Sequence, residues 1–360
     1  PAKYSRITKS IGLLYNSSAR TLCTAFCVAP NVAATAAHCL FRRTDGQRQP
    51  LSEFWFELRD TTPKRQSQIL GASRGVGMQN IVAGTIDLSV RPPIDAANDW
   101  ALMRLENSAC KGRELPLASG AQLEQIREAQ RRQTRREVFQ ISYHRDYEHW
   151  SLAYSTPCGI AGEYDGLTRQ QIRREFTNHD QLILHDCDTA GASSGSPLLM
   201  KTSQGIVVVG INVGTYVQSR PPVRSTSRAA RHTDSRTIAN TGVSASAIAD
   251  VIGTVATASI LASPSSLATL QRQLAGLGHY RAEIDGIYGS QTRAAILRFE
   301  ASAGLQLTGI PTRWLAQLLG ASPPLPERRS KLNQRTRTPA TPRPQRTLTS
   351  GELLGLTTHP

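Results

Sequence analysis

Apolar residues in the first third of the chain fall in short alternating runs: IGLLYN from residue 11, TLCTAFCVA from 21, NVAATAAH from 31, QNIVAGTI from 79 and DWALMRL from 99. Asn, Gly, Pro and Asp punctuate them, as turn formers do between strands. Many short strands at this spacing predict an all-β barrel or sandwich. AQLEQIREAQRRQTRRE, residues 121–137, breaks the alternation with a charged run that predicts a solvated helix or loop. Strand-like text returns in EVFQISYH, QLILHDCD, SPLLM and GIVVVGINVGTYV, so two β halves flank one polar insertion.

Residues 218–238, rich in Arg, Ser and Thr, read as an exposed loop, and GVSASAIADVIG reads as a closing amphipathic helix. The first domain is therefore drawn over 1–255. A linker over 256–265 follows, whose SPSS also supplies helix N-caps. Within 266–320 the grammar changes. Leu267, Leu270, Leu274 and Leu277 recur at helical spacing, Asp285 and Gly286 make a turn, and QTRAAILRFEASAGL and TRWLAQLLG give two further helices around a TG turn. The segment predicts a small three-helix α module. Residues 321–360, basic and rich in Pro and Thr, cannot bury a core and are expected to be disordered.

Composition changes this picture in two respects. The formal charge of +15 on 360 residues invites a nucleic-acid reading. The arginines, however, are spread through loops and tail with no basic helix interleaved with aromatics, so no specific nucleic-acid partner is expected. An anionic wall polymer or membrane surface suits the charge as well. The six cysteines form an even set without paired CxxC spacing, which points to three disulfides in an oxidising compartment rather than to zinc. The longest apolar stretch, 247–263, is interrupted by Asp250 and a glycine, and predicts a packed helix rather than a membrane span. The expected disulfides suggest a secreted or periplasmic location, and as the sequence starts at Pro1 without a leader, a signal peptide is expected to have been removed from it already.

A serine nucleophile at neutral pH needs an imidazole to take its proton and a buried carboxylate to fix that imidazole. Candidates occur in the order His38, Asp99, Ser194. TAAHC at 35–39, AANDWALMRL at 96–105 and DTAGASSGSPLL at 188–199 resemble, in that order, the histidine, aspartate and serine motifs of the chymotrypsin-like (trypsin-fold) serine peptidases. The resemblance covers the first domain and implies a mainly β fold of two six-stranded antiparallel barrels. It implies His38 as base, Asp99 as its orienter, Ser194 as nucleophile, and the N–H groups of Ala192 and Ser194 as oxyanion hole. It also implies a Cys23–Cys39 bridge at the histidine. Cys158 and Cys187 lie on either side of the nucleophile-bearing half and are expected to bridge, leaving Cys27 with Cys110 by elimination. Six cysteines permit many connectivities, and only the first pair has independent support.

The departures carry information. Ser193 stands where digestive members carry the aspartate that pairs with a freed N-terminus, so that ion pair is unavailable. The ending Ser-Gly-Ser-Pro resembles the bacterial glutamyl-endopeptidase-like branch. Ala192 replaces the usual glycine, at a steric cost if that position needs an unusual backbone conformation. For the substrate pocket the resemblance implies Asp188, Thr189 and Asn212. Asp188 suits basic residues and Thr189 suits glutamate, while Asn212 replaces the histidine of glutamyl-specific relatives, so the preferred side chain stays open.

LQRQLAGLGHY, IDGIYGSQT and AILRFEASAGLQLTG are similar to the peptidoglycan-binding-like three-helix module of bacterial wall enzymes. The resemblance implies peptidoglycan as a partner, and puts Tyr288, Gly289 and Thr292 where a ligand groove would open. Together these features predict an exported serine endopeptidase acting on protein or peptide substrates and targeted to the wall. No metal or organic cofactor is implied. The alternative is a catalytically weak or inactive protease-fold protein serving as a wall-anchored adaptor.

Overall fold

A computed structural model describes residues 4–321 except 17, 19, 42, 45–46, 133, 147–150, 161–167 and 221–233. The tail expected to be disordered lies, from residue 322 onward, outside the described residues.

The alternating runs of the first third form strands β1 (Ile11–Asn16), β2 (Thr21–Ala29), β3 (Val32–Thr35), β4 (Phe54–Leu58), β5 (Arg65–Ser67), β6 (Ile81–Ala83) and β7 (Ala101–Arg104). They make one antiparallel sheet in the order β5-β4-β1-β2-β3-β7-β6, a half-barrel. After the charged run, which is the helix Gly120–Arg132 with Leu123, Ile126 and Ala129 turned inward, the second half begins. Its strands are β8 (Arg136–Tyr143), β9 (Leu152–Tyr154), β10 (Cys158–Ile160), β11 (Leu182–His185), β12 (Pro197–Thr202), β13 (Gly205–Arg220) and β14 (Asp234–Ser244). Their order is β9-β8-β10-β11-β14-β13-β12, and a pairing of β8 with β12 closes six of them into a barrel. The predicted two-barrel β architecture is thus present, with one barrel closed and the other half-open in its described pairings. Closure leaves the six barrel strands no free edge, which is how such sheets bury every backbone group.

Two local expectations change. The 218–238 segment is not loop throughout: β13 runs to Arg220 and β14 starts at Asp234, with Arg220 paired to Asp234. The polar, Arg- and Ser-rich text of the segment lacks the apolar alternation by which a strand is read, so these strand ends are hidden; residues 221–233 lie outside the described residues. The closing helix is also broken. Val243 and Ser244 still belong to β14, and the helix comes as Ser246–Ala249 and α1 (Ile252–Thr257).

The C-terminal module has its three helices, α2 (Pro264–Gly276), α3 (Ser290–Ser302) and α4 (Arg313–Ala321), around a core of Leu267, Leu270, Leu274, Ile296, Phe299 and Leu315. Ser263 caps α2 through the Ser266 N–H, with Pro264 at its first position, as the SPSS pattern predicts. Gly286 and Gly309, at φ +69° and +67°, make the IDG and TG turns.

The segment before the module is gripped by the β domain: Arg104 donates to the Ala258 carbonyl at 2.6 Å and Asn31 to that of Ala256 at 3.1 Å. Leu261 N–H donates to Pro311 O, and Arg313 N–H to Ser259 O, both at 2.8 Å. Ile310, in the TG turn, belongs to the core of the β domain, and Met78 of that domain packs on the module's core. Buried Arg293 of α3 reaches across to donate to the carbonyl of Ala83 at the end of β6. Residues 4–321 therefore belong to one compact unit. No helix among the described residues is long and apolar enough to cross a membrane.

Candidate active site

His38 sits in the short helical turn Ala37–Phe41 that follows β3. The turn packs tightly because its flanks are small: Ala33, Ala34, Ala36 and Ala37 are all buried. A disulfide between Cys23 on β2 and Cys39 clips it to the sheet. Asp99 ends the short turn Ala96–Asn98 just before β7, and β7 pairs with β3, which brings the carboxylate beside the histidine. One carboxylate oxygen accepts the His38 backbone N–H at 2.8 Å and the other accepts Nδ1 at 2.6 Å. The Asp99 side chain is 3 % exposed and that of His38 23 %, so the carboxylate is buried behind a ring whose other edge reaches solvent. This fixes the tautomer with its proton on Nδ1 and leaves Nε2 as the basic nitrogen.

Ser194 lies in the turn before β12, half-buried. Its carbonyl accepts the Thr24 N–H of β2 at 2.9 Å, and stands 3.9 Å from the sulfur of Cys39, which is itself 3.8 Å from His38 Nε2. The nucleophile candidate is thereby held against the histidine turn. Gly195, at φ +86°, permits this closeness: a Cβ there would stand 2.2 Å from both the Thr24 carbonyl and Thr35 Oγ1.

The backbone around Ser194 is fixed carbonyl by carbonyl. Gly191 O accepts the Arg145 N–H at 2.7 Å. Ala192 O accepts the Thr24 hydroxyl at 2.8 Å, and that hydroxyl in turn accepts the Tyr143 N–H at 3.0 Å. Ser193 O accepts the Ser196 hydroxyl at 2.7 Å and the Asn212 amide at 3.1 Å. In a trans peptide the C=O and the following N–H point in opposite directions. Tying back the carbonyls of Gly191 and Ser193 therefore turns the N–H groups of Ala192 and Ser194 away from those donors, a precondition for an oxyanion hole built from them. Ala192 has φ +80°, the left-handed conformation in which an alanine carries a steric cost that glycine does not.

The pocket residues behave differently from one another. Asp188 is exposed, and Thr189 is half-buried with its hydroxyl donating to Asn240 Oδ1 at 3.1 Å. Asn212 does not face a pocket: it is buried, its amide hydrogen-bonded to Ser193 and His185, because it points into the barrel from β13. The asparagine that meets Thr189 is Asn240, on β14. Its Oδ1 also accepts the Thr215 hydroxyl at 2.8 Å, while its Nδ2 donates to Cys187 O at 2.7 Å. Sequence reasoning missed Asn240; an asparagine within a strand is the available signal. His144 is a further titratable group near the turn that carries Ser194. It lies beside Arg145, bonds Ser142 at 2.8 Å, and is held by burial below the usual histidine range against the pull of Asp146 and Asp188.

Beside His38 opens a cleft of about 830 Å³, walled by Phe41, Ile86, Leu88, Ile94, Phe176 and Val217 among others. The other two disulfides join Cys27 to Cys110 and Cys158 to Cys187, the latter steadying the strand that leads to the nucleophile turn. In the module the groove expected at Tyr288, Gly289 and Thr292 is closed at two of its three positions. Tyr288 is buried with its hydroxyl on the Gly309 carbonyl, and Thr292 is buried against Gln271 and the Ile287 carbonyl, because both pin the IDG and TG turns. Gly289, the residue before α3, stays partly open.

A family model described as a trypsin-like peptidase domain matches residues 23–211, and one described as a peptidoglycan binding domain matches residues 263–319. No curated protein matches the chain.

Proposed function

Because the chain belongs to the trypsin-like peptidase domain family, we propose that it is an exported serine endopeptidase that works outside the cell and is brought to peptidoglycan by its C-terminal module. His38 takes the proton of Ser194 as the hydroxyl attacks a peptide carbonyl, and later gives it to the leaving amine. Asp99 holds the ring and stabilises the imidazolium. The amides of Ala192 and Ser194 receive the charge that develops on the carbonyl oxygen, and water then hydrolyses the acyl-enzyme.

The observation that carries this reading is the orientation of those two amides, imposed by donors to Gly191 O and Ser193 O beside a His38–Asp99 pair. The apolar cleft next to His38 supports recognition of apolar side chains on one side of the scissile bond. Thr189, Thr215 and Asn240 are the proposed polar end of the primary pocket. Kinship with the glutamyl-endopeptidase-like branch rests on the Ser-Gly-Ser-Pro ending alone. The three disulfides and the module's family support export.

A fluorophosphonate probe tests the reading: the oxidised parent should be labelled at Ser194 and Ser194→Ala should not. The strain at Ala192 favours a second reading, an inactive protease fold serving as a wall-bound adaptor. A folded parent that takes no label would select it.

A further inference from the structure

The nucleophile turn rests on a buried polar chain that the triad does not use. Ser193, which carries no charge, is buried, and its carbonyl accepts three donors: Ser196 Oγ at 2.7 Å, Ser196 N–H at 3.1 Å and Asn212 Nδ2 at 3.1 Å. Gln140 Nε2, on the neighbouring strand β8, donates to the Ser196 hydroxyl at 2.5 Å. Behind Asn212 stands His185, fully buried on β11, with Nε2 at 3.1 Å from Asn212 Oδ1.

The direction of every bond in this chain is determined. The Cys187 N–H donates to His185 Nδ1 at 3.3 Å, so that nitrogen is the acceptor and the ring proton sits on Nε2. Nε2–H must then meet an oxygen, which fixes the Asn212 amide with Oδ1 toward His185 and NH2 toward Ser193. Burial keeps His185 neutral, lowering its pKa to about 4. The main chain of Asn212 embraces the same turn, donating to Ser196 O at 2.9 Å and accepting Gly195 N–H at 2.7 Å.

We infer that Asn212, oriented by His185, is a positioning residue that locks the Ser193–Ser194 peptide so that the Ser194 N–H stays aimed at the oxyanion. The inference rests on the peptidase reading above. A network of neutral groups does here what a charged pair to an aspartate at position 193 would otherwise do. The oxyanion hole is accordingly built by folding, with no cleavage needed to free an amine. Losing one of three donors to Ser193 O lets the peptide rock. Outright loss of an oxyanion donor costs about 10²–10³ in rate, so a loosened one should cost about tenfold to a hundredfold.

The test is the fluorophosphonate reaction of the full-length oxidised protein, resolved into kinact and KI, for the parent, Asn212→Asp, Asn212→Ala and Ser196→Ala. Asn212→Asp keeps the acceptor for His185 and loses the donor to Ser193. The expected result is a tenfold or greater fall in kinact with KI within about twofold, in variants whose near-ultraviolet circular dichroism matches the parent. Ser196→Ala, which leaves Asn212 in place, should fall in the same direction by less, and keeps the test decisive if the Asn212 variants do not fold. A glycine extension added before Pro1 should leave kinact unchanged. Folded variants that label at the parent rate, a loss confined to KI, or inactivation by the extension would each overturn the inference. A parent that does not label removes the peptidase reading and this inference with it, a result distinct from the other three.

Discussion

His185 gives the architecture a measurable acid weakness. Its ring is buried among Asn212, the backbone of Cys187 and Thr241, and Asp186 at the end of its own strand, with Asp186 itself engaged by Arg135 and the Gly159 N–H. Burial drops its pKa from 6.5 to about 4. Between these values the unfolded chain takes up a proton that the folded chain refuses, so lowering the pH favours unfolding. The contribution is complete above pH ~6.5, is lost as pH falls toward ~4, and changes little below. A gap of about 2.5 pH units, at about 1.4 kcal/mol each, gives roughly 3–4 kcal/mol. That is a large share of the 5–15 kcal/mol, roughly, by which domains are stable. Urea unfolding with disulfides intact, at pH 7, 5.5 and 4, should show this loss in the parent but not in His185→Gln, which keeps a donor for Asn212. All other titrating groups are common to both proteins and cancel in the difference. Parallel stability curves for the two across that range would refute the argument.

Three further substitutions probe the site and its support. Gly195→Ala should abolish probe labelling, since the new Cβ would collide at 2.2 Å with the Thr24 carbonyl and Thr35 hydroxyl that hold the nucleophile turn; labelling at the parent rate would mean that the turn is not held as described. Ala192→Gly should raise stability by up to about 1 kcal/mol, the left-handed strain relieved less the added freedom of the unfolded chain, without slowing labelling. A loss of more than about 1 kcal/mol in chemical denaturation would contradict this. Arg293→Ala leaves the Ala83 carbonyl without its cross-domain donor, and should lower the urea-derived stability by about 2 kcal/mol, whereas an unchanged midpoint would mean that the docking contact contributes nothing.

Much of the site was legible because its determinants are local. TAAHC carries its own packing: small alanines, a turn, and the cysteine that clips it to β2. The serine motif likewise contains Gly195, the one residue type that fits between Thr24 and Thr35. The module's helices and turns were legible for the same reason, since Leu spacing, SPSS, IDG and TG each act within a few residues. Reading failed where the outcome depends on partners distant along the chain. Asn212 and Asn240 look alike as strand asparagines, yet one points into the barrel at His185 and the other meets Thr189 and Thr215. Strand register decides which, because neighbouring positions on a strand face opposite sides. Tyr288 and Thr292, polar and near a turn, read as groove residues although their hydroxyls hold the module together.

By itself, then, the amino-acid sequence determined the β character and the helical module, and named His38, Asp99 and Ser194 as the candidate triad, since each follows from short-range pattern and motif. Tertiary structure alone decided how the peptides of residues 191–194 are aimed, with donors from Thr24, Arg145 and Asn212 converging on residues 191–193 across the two halves. It alone docked the module on the β domain through Arg293, Ile310 and the gripped 256–261 segment. The physical reason is the same for both. A hydrogen bond or a packed side chain takes its meaning from what lies opposite, and what lies opposite is set by pairing between residues far apart in the chain.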